Sequence, residues 1–96
     1  MPPLPDNAAD YAQAAFDAWL SGRLDRLQQL MADDAYQVLA SRAPSDGDQW
    51  GSAQCEGAAG STYCQWDGAV DSLVLRVDNQ AVAAGESQAI IEARFG

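Results

Sequence analysis

The stretch Cys55-Glu-Gly-Ala-Ala-Gly-Ser-Thr-Tyr-Cys64 decides how the second half of this chain folds. A two-residue hairpin turn at Ala59-Gly60 would place residue 55 opposite residue 64 and residue 57 opposite residue 62. Cysteines that face each other in a non-hydrogen-bonded pair have Cβ atoms close enough for a disulfide. We therefore predict a Cys55–Cys64 disulfide. The alternative is two reduced cysteines that pack as small apolar residues, as in a cytosolic protein.

Four strand-like runs surround and follow this turn. They cover residues 50–56, 62–67, 72–78 and 89–95. In the last two runs, the apolar residues on one side are Leu73, Leu75 and Val77, and then Ile91, Ala93 and Phe95. Residues 79–87 are expected to extend these strands towards a turn at Gly85-Glu86-Ser87. If the disulfide faces the core, Trp66 is buried and Asp67 is solvated.

The first half of the chain has the apolar periodicity of helices. From Asn7 to Ser21, apolar pairs recur every four residues, which predicts an amphipathic helix capped by Asp6 or Asn7, with Gly22 just beyond its end. A second helix is expected from Leu24, and an aspartate of Ala32-Asp33-Asp34 is expected to cap a short third.

Pro44 and the cluster at 45–48 end the helical half in a loop. The sequence therefore predicts one α+β domain over residues 7–96. Two or three N-terminal helices would pack on a curved, antiparallel four-stranded sheet and form a cone-shaped roll.

Composition limits the possible partners. The chain has 96 residues, with 14 acidic and 5 basic side chains and a formal charge of -9. This acidity argues against binding to nucleic acid or anionic lipid, because both need a positive surface. No apolar run approaches the length of about 18 residues that a membrane-spanning helix requires, so we expect a domain that is not membrane-embedded.

Residues 1–6 are Pro-rich and lack the basic and apolar regions of a signal peptide. We expect them to be a linker to an anchor or exporting segment outside this sequence, and the domain to be extracytoplasmic. If the chain were complete as written, the expectations of export and of a disulfide would both be weaker.

Several chemistries are excluded because the chain has no histidine and no lysine. Ser-His and Cys-His nucleophiles, the common zinc sites, Schiff bases and the phosphate-loop lysine all need one of them. We predict no cofactor and no metal. Gly57–Thr62 is better explained as a turn than as a phosphate loop, and Asp46-Gly-Asp48 as a solvated loop than as calcium ligands.

Five aromatic residues are candidates for lining a pocket: Trp19, Trp50, Trp66, Tyr11 and Phe16. Their alternative role is to fill the core, since aromatic side chains bury the largest area per residue. Arg76 and Arg94 are expected to pair with Glu92, Asp78 or other carboxylates.

The first half resembles a known family through two motifs. Ala12, Phe16, Ala18, Trp19 and Gly22 form the first, and Leu24, Asp25, Leu27, Leu30 and Met31 form the second. With the predicted sheet behind them, these residues look like the nuclear transport factor 2-like superfamily. The hairpin and the Leu-Val-Leu-Arg-Val run at 73–77 are similar to its small exported form in bacterial lipoproteins and membrane-tethered proteins.

The resemblance implies a cone whose helices close over a bent sheet, often with an internal pocket, but it implies no single activity. In its isomerase-like branch a carboxylate base acts with a tyrosine or protonated acid. The residues here that could take those roles are Asp67, Glu92, Tyr63, Tyr36 and Tyr11.

Two hypotheses follow. In the first, the domain is non-catalytic and binds a protein, a cell-wall component or a small apolar ligand outside the cytoplasm. In the second, it is a small isomerase or cyclase. A buried carboxylate beside a tyrosine in a cavity of several hundred Å³ would favour the enzyme. A cone filled by its own aromatic residues, or an exposed apolar patch along a sheet face, would favour the binding domain. Homodimers through the sheet face are also expected, as in similar proteins.

Overall fold

The computed structural model describes residues 3–44 and 49–96 and has the predicted α+β arrangement, with three helices ahead of an antiparallel four-stranded sheet. The strand order is β1-β2-β3-β4, as expected for a meander. Helix α1 packs on β2 and β3 while α3 packs on β4, so the helices cover one face of the sheet. The elements are α1 (Ala8–Leu20), α2 (Leu24–Leu30), α3 (Asp33–Ala40), β1 (Gln54–Ala58), β2 (Ser61–Asp67), β3 (Ser72–Asp78), α4 (Asn79–Ala83) and β4 (Ile90–Phe95).

Helix α1 begins and ends where the sequence predicts. The side-chain oxygen of Asn7 accepts a hydrogen bond from the backbone N–H of Asp10 at 2.9 Å, which caps the first turn. Gly22 has a φ of +70°, and the next N–H, that of Arg23, donates to the carbonyl of Ala18 at 2.8 Å. This is a Schellman motif, in which glycine takes the left-handed conformation without strain.

Helix α3 lacks the predicted aspartate cap. The capping position is occupied by Ala32, and Asp33 and Asp34 both lie within the first turn. The reason is tertiary: the N–H of Ala32 donates to the carbonyl of Ile90 at 2.8 Å, which ties the start of the helix to the sheet. The two carboxylates still favour the helix because they lie near its positive end.

The β1–β2 hairpin has the predicted register, with Cys55 opposite Cys64 and Gly57 opposite Thr62. The disulfide between Cys55 and Cys64 is formed. Strand β1 starts at Gln54, however, and not at residue 50. The β1–β2 ladder begins at the pair of Gln54 with Gln65, and the N–H of Gly51 makes a separate hydrogen bond to the carbonyl of Asp67 at 2.9 Å.

Strand β3 buries Leu73, Leu75 and Val77 as predicted. The prediction for β4 was partly wrong, because Ile90 is fully buried whereas Ile91 is 37 % exposed. Arg76 pairs with Glu92 and Val77 pairs with Ile90, which leaves Ile91 as an extra residue in a β-bulge. A bulge reverses the alternation of faces on one side of it, so Ile91 is turned away from the core.

The segment after β3 was predicted to extend the strands, but it forms the short helix α4. Asp78 caps this helix, since its carboxylate oxygen accepts from the N–H groups of Gln80 at 3.0 Å and Ala81 at 3.4 Å. Val82 then packs into the core with 5 % of its surface exposed. Capping by an aspartate and burial of one apolar residue outweigh the strand preference read from the local sequence.

The interior between the helices and the sheet is filled by the protein's own aromatic and aliphatic side chains. Phe16 stacks on Trp66 with ring centroids 4.5 Å apart and an angle of 6° between the rings. Tyr11 and Leu75 have no exposed surface. In residues 3–44 and 49–96, no polar or charged side chain is buried.

Candidate functional site

A cleft of about 160 Å³ lies where the end of α3, the segment before β1 and the β2–β3 turn meet. We call it the Trp50 cleft. It has apolar walls on several sides and one pair of opposite charges. Its principal lining residues are Trp19, Trp50, Val70 and Phe95 with Arg42 and Asp71.

The Trp50 side chain is held at the wall of the cleft by aromatic contacts. Its ring meets Phe16 edge-on at 5.6 Å and Trp19 edge-on at 5.7 Å, both preferred arrangements for aromatic pairs. Gly68 leaves the room that this ring needs, because a Cβ atom at residue 68 would lie 3.1 Å from two carbons of the indole. The position of Trp50 therefore depends on a glycine in the β2–β3 turn.

The charged part of the cleft is an ion pair between Arg42 and Asp71. The Arg42 guanidinium carbon also lies 4.3 Å from the centroid of the Phe95 ring, within the range of a cation–π contact. These side chains follow α3, precede β3 and end β4, so three distant parts of the sequence build this wall. A ligand here would meet an aromatic face, a donor and an acceptor together.

The indole nitrogens of Trp19 and Trp50 differ in their hydrogen bonds. Trp19 Nε1 donates to the carbonyl of Arg42 at 2.8 Å and to that of Leu39 at 3.1 Å. Trp50 Nε1 is buried and has no hydrogen-bond partner within residues 3–44 and 49–96.

A second groove, of about 230 Å³, adjoins the Trp50 cleft on the other side of residues 42–44. Trp19 contributes to both, and the second groove adds the exposed side chain of Leu24, of which 48 % is accessible. The two depressions form a partly apolar surface at one end of the molecule.

The structure separates the five predicted pocket residues into two groups. Trp19 and Trp50 line the cleft, and Trp19 is at the same time a core residue with 3 % of its surface exposed. Tyr11, Phe16 and Trp66 lie in the core, with 0 %, 4 % and 1 % of their surfaces exposed. The second group supports the cleft from behind, because Phe16 contacts both Trp50 and Trp66.

The residues considered for isomerase chemistry do not meet in a cavity. Asp67 and Glu92 are exposed, and Tyr63 is 37 % exposed on β2. Glu92 forms the predicted ion pair with Arg76, in which Nε and Oε1 are 3.2 Å apart. Tyr36 is half-buried on α3.

Tyr11 is the most deeply buried of these candidates. Its hydroxyl donates to the carbonyl of Glu86 at 3.0 Å and accepts from the N–H of Ala89 at 3.3 Å. Burial raises the pKa of Tyr11, while the bond from Ala89 and the charge of Arg26 oppose that rise. Both contacts of the hydroxyl are to backbone, so it joins the chain after α4 to α1.

Metal binding has no support in the part of the chain that the structure describes, where no three histidine, cysteine or carboxylate side chains cluster. The calcium hypothesis for Asp46 and Asp48 falls on residues outside the described ranges. Among the helices of the described residues, none has the length and apolar character needed to span a membrane.

Comparison of the chain with protein-family models, with curated proteins and with solved structures finds no match.

Sequence reasoning did not find Arg42, Asp71 and Phe95 as partners in one site. Each is separated from the others by more than twenty residues, and only the meander brings them together. The one local signal was Gly68-Ala-Val-Asp71, a turn with an exposed valine and an aspartate. Turn composition of this kind does not reveal which side chains a loop will meet.

Proposed function

We propose that this chain is a non-catalytic extracytoplasmic binding domain of a secreted or membrane-tethered bacterial protein. In this proposal it is a small exported member of the nuclear transport factor 2-like superfamily. The Trp50 cleft is its binding site. The three N-terminal helices over an antiparallel meander support the superfamily assignment.

One observation carries the proposal: the aromatic residues that could have lined an internal pocket fill the core, while the Trp50 cleft opens at the surface. Phe16 and Trp66 stack in the centre of the molecule, where a substrate cavity would otherwise lie. The cleft instead presents Trp50 and Phe95 beside an ion pair. Apolar walls with a few converging polar groups are the usual form of a ligand site.

The size of the cleft limits what it can take. An engineered apolar cavity of about 150 Å³ holds benzene, whereas sites for drug-sized molecules span about 300–1,000 Å³. With about 160 Å³, the cleft suits one ring or one apolar side chain. Arg42 and Asp71 would pair with a polar end of that group, such as an amide.

The disulfide supports the location. A cross-strand disulfide is compatible with an oxidising compartment and is uncommon in the cytosol of most organisms. Residues 3–5 lie against the domain, with the carbonyl of Pro3 accepting from the Arg26 guanidinium at 3.2 Å and Leu4 packed on the core. In this proposal a tether would therefore leave the domain beside α2.

The enzyme alternative, a small isomerase or cyclase, has weaker support. Its mechanism needs a carboxylate held near a tyrosine in a dry cavity. The candidate carboxylates Asp67 and Glu92 are both exposed. Neither is therefore held in a dry cavity as this mechanism requires.

The binding proposal is tested by nuclear magnetic resonance of the three indole N–H groups during titration with benzamide and, separately, cyclohexanecarboxamide. We expect the Trp50 and Trp19 signals to shift and saturate, and the Trp66 signal to move least because its ring is buried away from the cleft. Asp71→Asn should change the affinity for the amides, since it breaks the ion pair with Arg42.

Tyr63→Ala is the matched control, because Tyr63 lies on the uncovered sheet face and does not line the cleft. It should leave the titration unchanged. Shifts that spread evenly over the surface, or that are the same in Asp71→Asn and the unmodified chain, would contradict the cleft as the site.

The location is tested in the cells that naturally produce the protein. Acid is added to stop thiol exchange, and the thiols are then alkylated with and without prior reduction. We expect both cysteines to react only after reduction. Full alkylation without reductant would show that the protein is held in a reducing compartment and would remove the extracytoplasmic part of the proposal.

A further inference from the structure

We propose that the open edge of strand β1 is a second binding site, which takes an extended, basic peptide segment of a partner protein as a fifth strand of the sheet. This surface is separate from the Trp50 cleft, and the inference does not depend on the function proposed for that cleft.

The two edges of the sheet differ. At the β4 edge, Ala32 donates to the carbonyl of Ile90 at 2.8 Å and Met31 forms an isolated bridge with Ile90, so the link between α2 and α3 covers the beginning of that edge, and α3 packs on β4. Strand β1 pairs only with β2, and all five of its residues are exposed. The edge of β1 that faces away from β2 is therefore not paired with any residue that the structure describes.

The register identifies the backbone groups on the free side. The Cα atoms of Cys55 and Cys64 are 4.1 Å apart, the close spacing of a non-hydrogen-bonded pair. Because pair types alternate along an antiparallel ladder, Gly57 and Thr62 form another such pair, and Glu56 bonds to Tyr63. The N–H and C=O groups of Cys55 and Gly57 consequently point outwards, and an incoming strand can make four hydrogen bonds with them.

Strand β1 lacks two of the devices that usually block an edge, lysine and proline, and its one charged side chain is Glu56. The disulfide fixes it to β2. Gly57 has open space where a Cβ atom would stand, so no other described residue packs on that face of β1 at this position.

Charge selects the occupant. Glu56 is the only charged residue of β1, and the chain as a whole has a formal charge of -9. The basic side chains on the same sheet face, Arg76 and Arg94, lie on β3 and β4, and Arg76 is paired with Glu92. Glu56 would lie directly opposite a residue of the incoming strand, where an opposite charge stabilises the pair. A second copy of the chain would bring the same negative charge to this edge, so a basic segment is favoured over self-association.

The probe is the peptide acetyl-Lys-Val-Lys-Val-Lys-amide. In antiparallel register its central lysine lies opposite Glu56, and its two valines lie opposite Cys55 and Gly57. Titration should shift the amide signals of Cys55 and Gly57 and protect them from hydrogen exchange, with smaller effects on the amide of Glu56, which already bonds within the hairpin. The matching peptide with glutamate in place of lysine should bind at least about tenfold more weakly.

Two variants of one residue separate pairing from packing. Gly57→Pro removes the outward N–H and should weaken binding by about tenfold or more, because it deletes a hydrogen bond and obstructs the edge. Gly57→Ala keeps the N–H and fits the available space, so it should bind as the unmodified chain does.

A test with unmodified protein covers the case in which Gly57→Pro disturbs the hairpin. Methylation of the backbone nitrogens of the two valines should abolish binding, since those N–H groups face β1. Methylation of the backbone nitrogens of the lysines should not, since those N–H groups face away from β1. Equal binding of both methylated peptides would overturn the proposal. So would equal binding of the lysine and glutamate peptides, or sedimentation showing a dimer of the unmodified chain that Gly57→Pro abolishes.

Discussion

At the scale of single residues, Ala59 in the β1–β2 turn is one of two non-glycine residues with a left-handed φ in the described part of the chain, the other being Gln88. The φ of Ala59 is +47° and that of Gly60 is +83°, so both central residues are left-handed, as a type I′ turn requires. Asparagine adopts this conformation more readily than alanine. We expect Ala59→Asn to stabilise the protein by about 0.5–1 kcal/mol, which raises the melting temperature by roughly 2–8 °C.

The control for this change is Ala58→Asn, one residue earlier in β1. Asparagine is unfavourable in a strand, so the melting temperature should fall or stay level. If calorimetry showed the same sign for both variants, turn conformation would not be the cause.

The second change at this scale concerns the hydroxyl of Tyr11. Tyr11→Phe should cost about 1–2 kcal/mol, because the buried N–H of Ala89 and the carbonyl of Glu86 lose their partner. Burial raises the pKa of Tyr11 above its ordinary value of 10.0. Its neutral form therefore stabilises the folded state fully below pH 10, and that contribution is lost as the pH rises through the raised value.

Urea unfolding at pH 7 and about pH 11 measures both effects. The unmodified protein should lose stability over this interval by more than Tyr11→Phe does. Equal losses of unfolding free energy in the two proteins would show that Tyr11 does not contribute to the fall in stability at high pH.

At the scale of elements, the disulfide holds β1 to the rest of the sheet. None of the five β1 residues is buried, so packing does little to keep this strand in place. Closing a loop with a sequence separation of 9 is worth about 2–3 kcal/mol in the chain-entropy model. We expect Cys55→Ser to lower the free energy of unfolding by about that amount in denaturant titration.

Cys64→Ser provides the comparison, because Cys64 has no exposed surface whereas Cys55 is exposed. It should cost about 1–3 kcal/mol more than Cys55→Ser, since it also places a hydroxyl in an apolar core. Equal losses would mean that cross-linking alone accounts for the role of both sulfurs.

At the scale of the whole molecule, Phe16 joins the core to the Trp50 cleft. Its ring contacts Trp19, Trp50 and Trp66 at centroid distances of 6.2, 5.6 and 4.5 Å. Phe16→Ala should cost about 3–5 kcal/mol, a large share of the stability of a small domain. It should also broaden the indole signals of Trp50 in nuclear magnetic resonance, because the Trp50 ring loses its contact with the Phe16 ring.

Val70→Ala is the control on the same side of the molecule. Val70 lines the cleft but is 86 % exposed, so its truncation should change stability by less than about 0.5 kcal/mol. A loss in Phe16→Ala no larger than that of Val70→Ala would show that the aromatic cluster does not hold the two layers together.

The sequence by itself determined the elements whose signals are local. The spacing of Cys55 and Cys64 about Ala59-Gly60 predicted the hairpin, its register and the disulfide, and alternation in β3 predicted which residues are buried. Apolar periodicity and the Gly22 cap predicted α1 and its end. These features depend on residues a few positions apart, where the geometry of the backbone relates sequence to structure directly.

Tertiary structure alone decided the features that depend on distant contacts. The bulge at Ile91 follows from pairing between β3 and β4, and the start of α3 follows from the bond between Ala32 and Ile90. The division of the aromatic residues between core and cleft was likewise settled by packing, which buried Trp66 and left Trp50 at the surface. Burial depends on the partners that the fold supplies, and no local pattern specifies those partners.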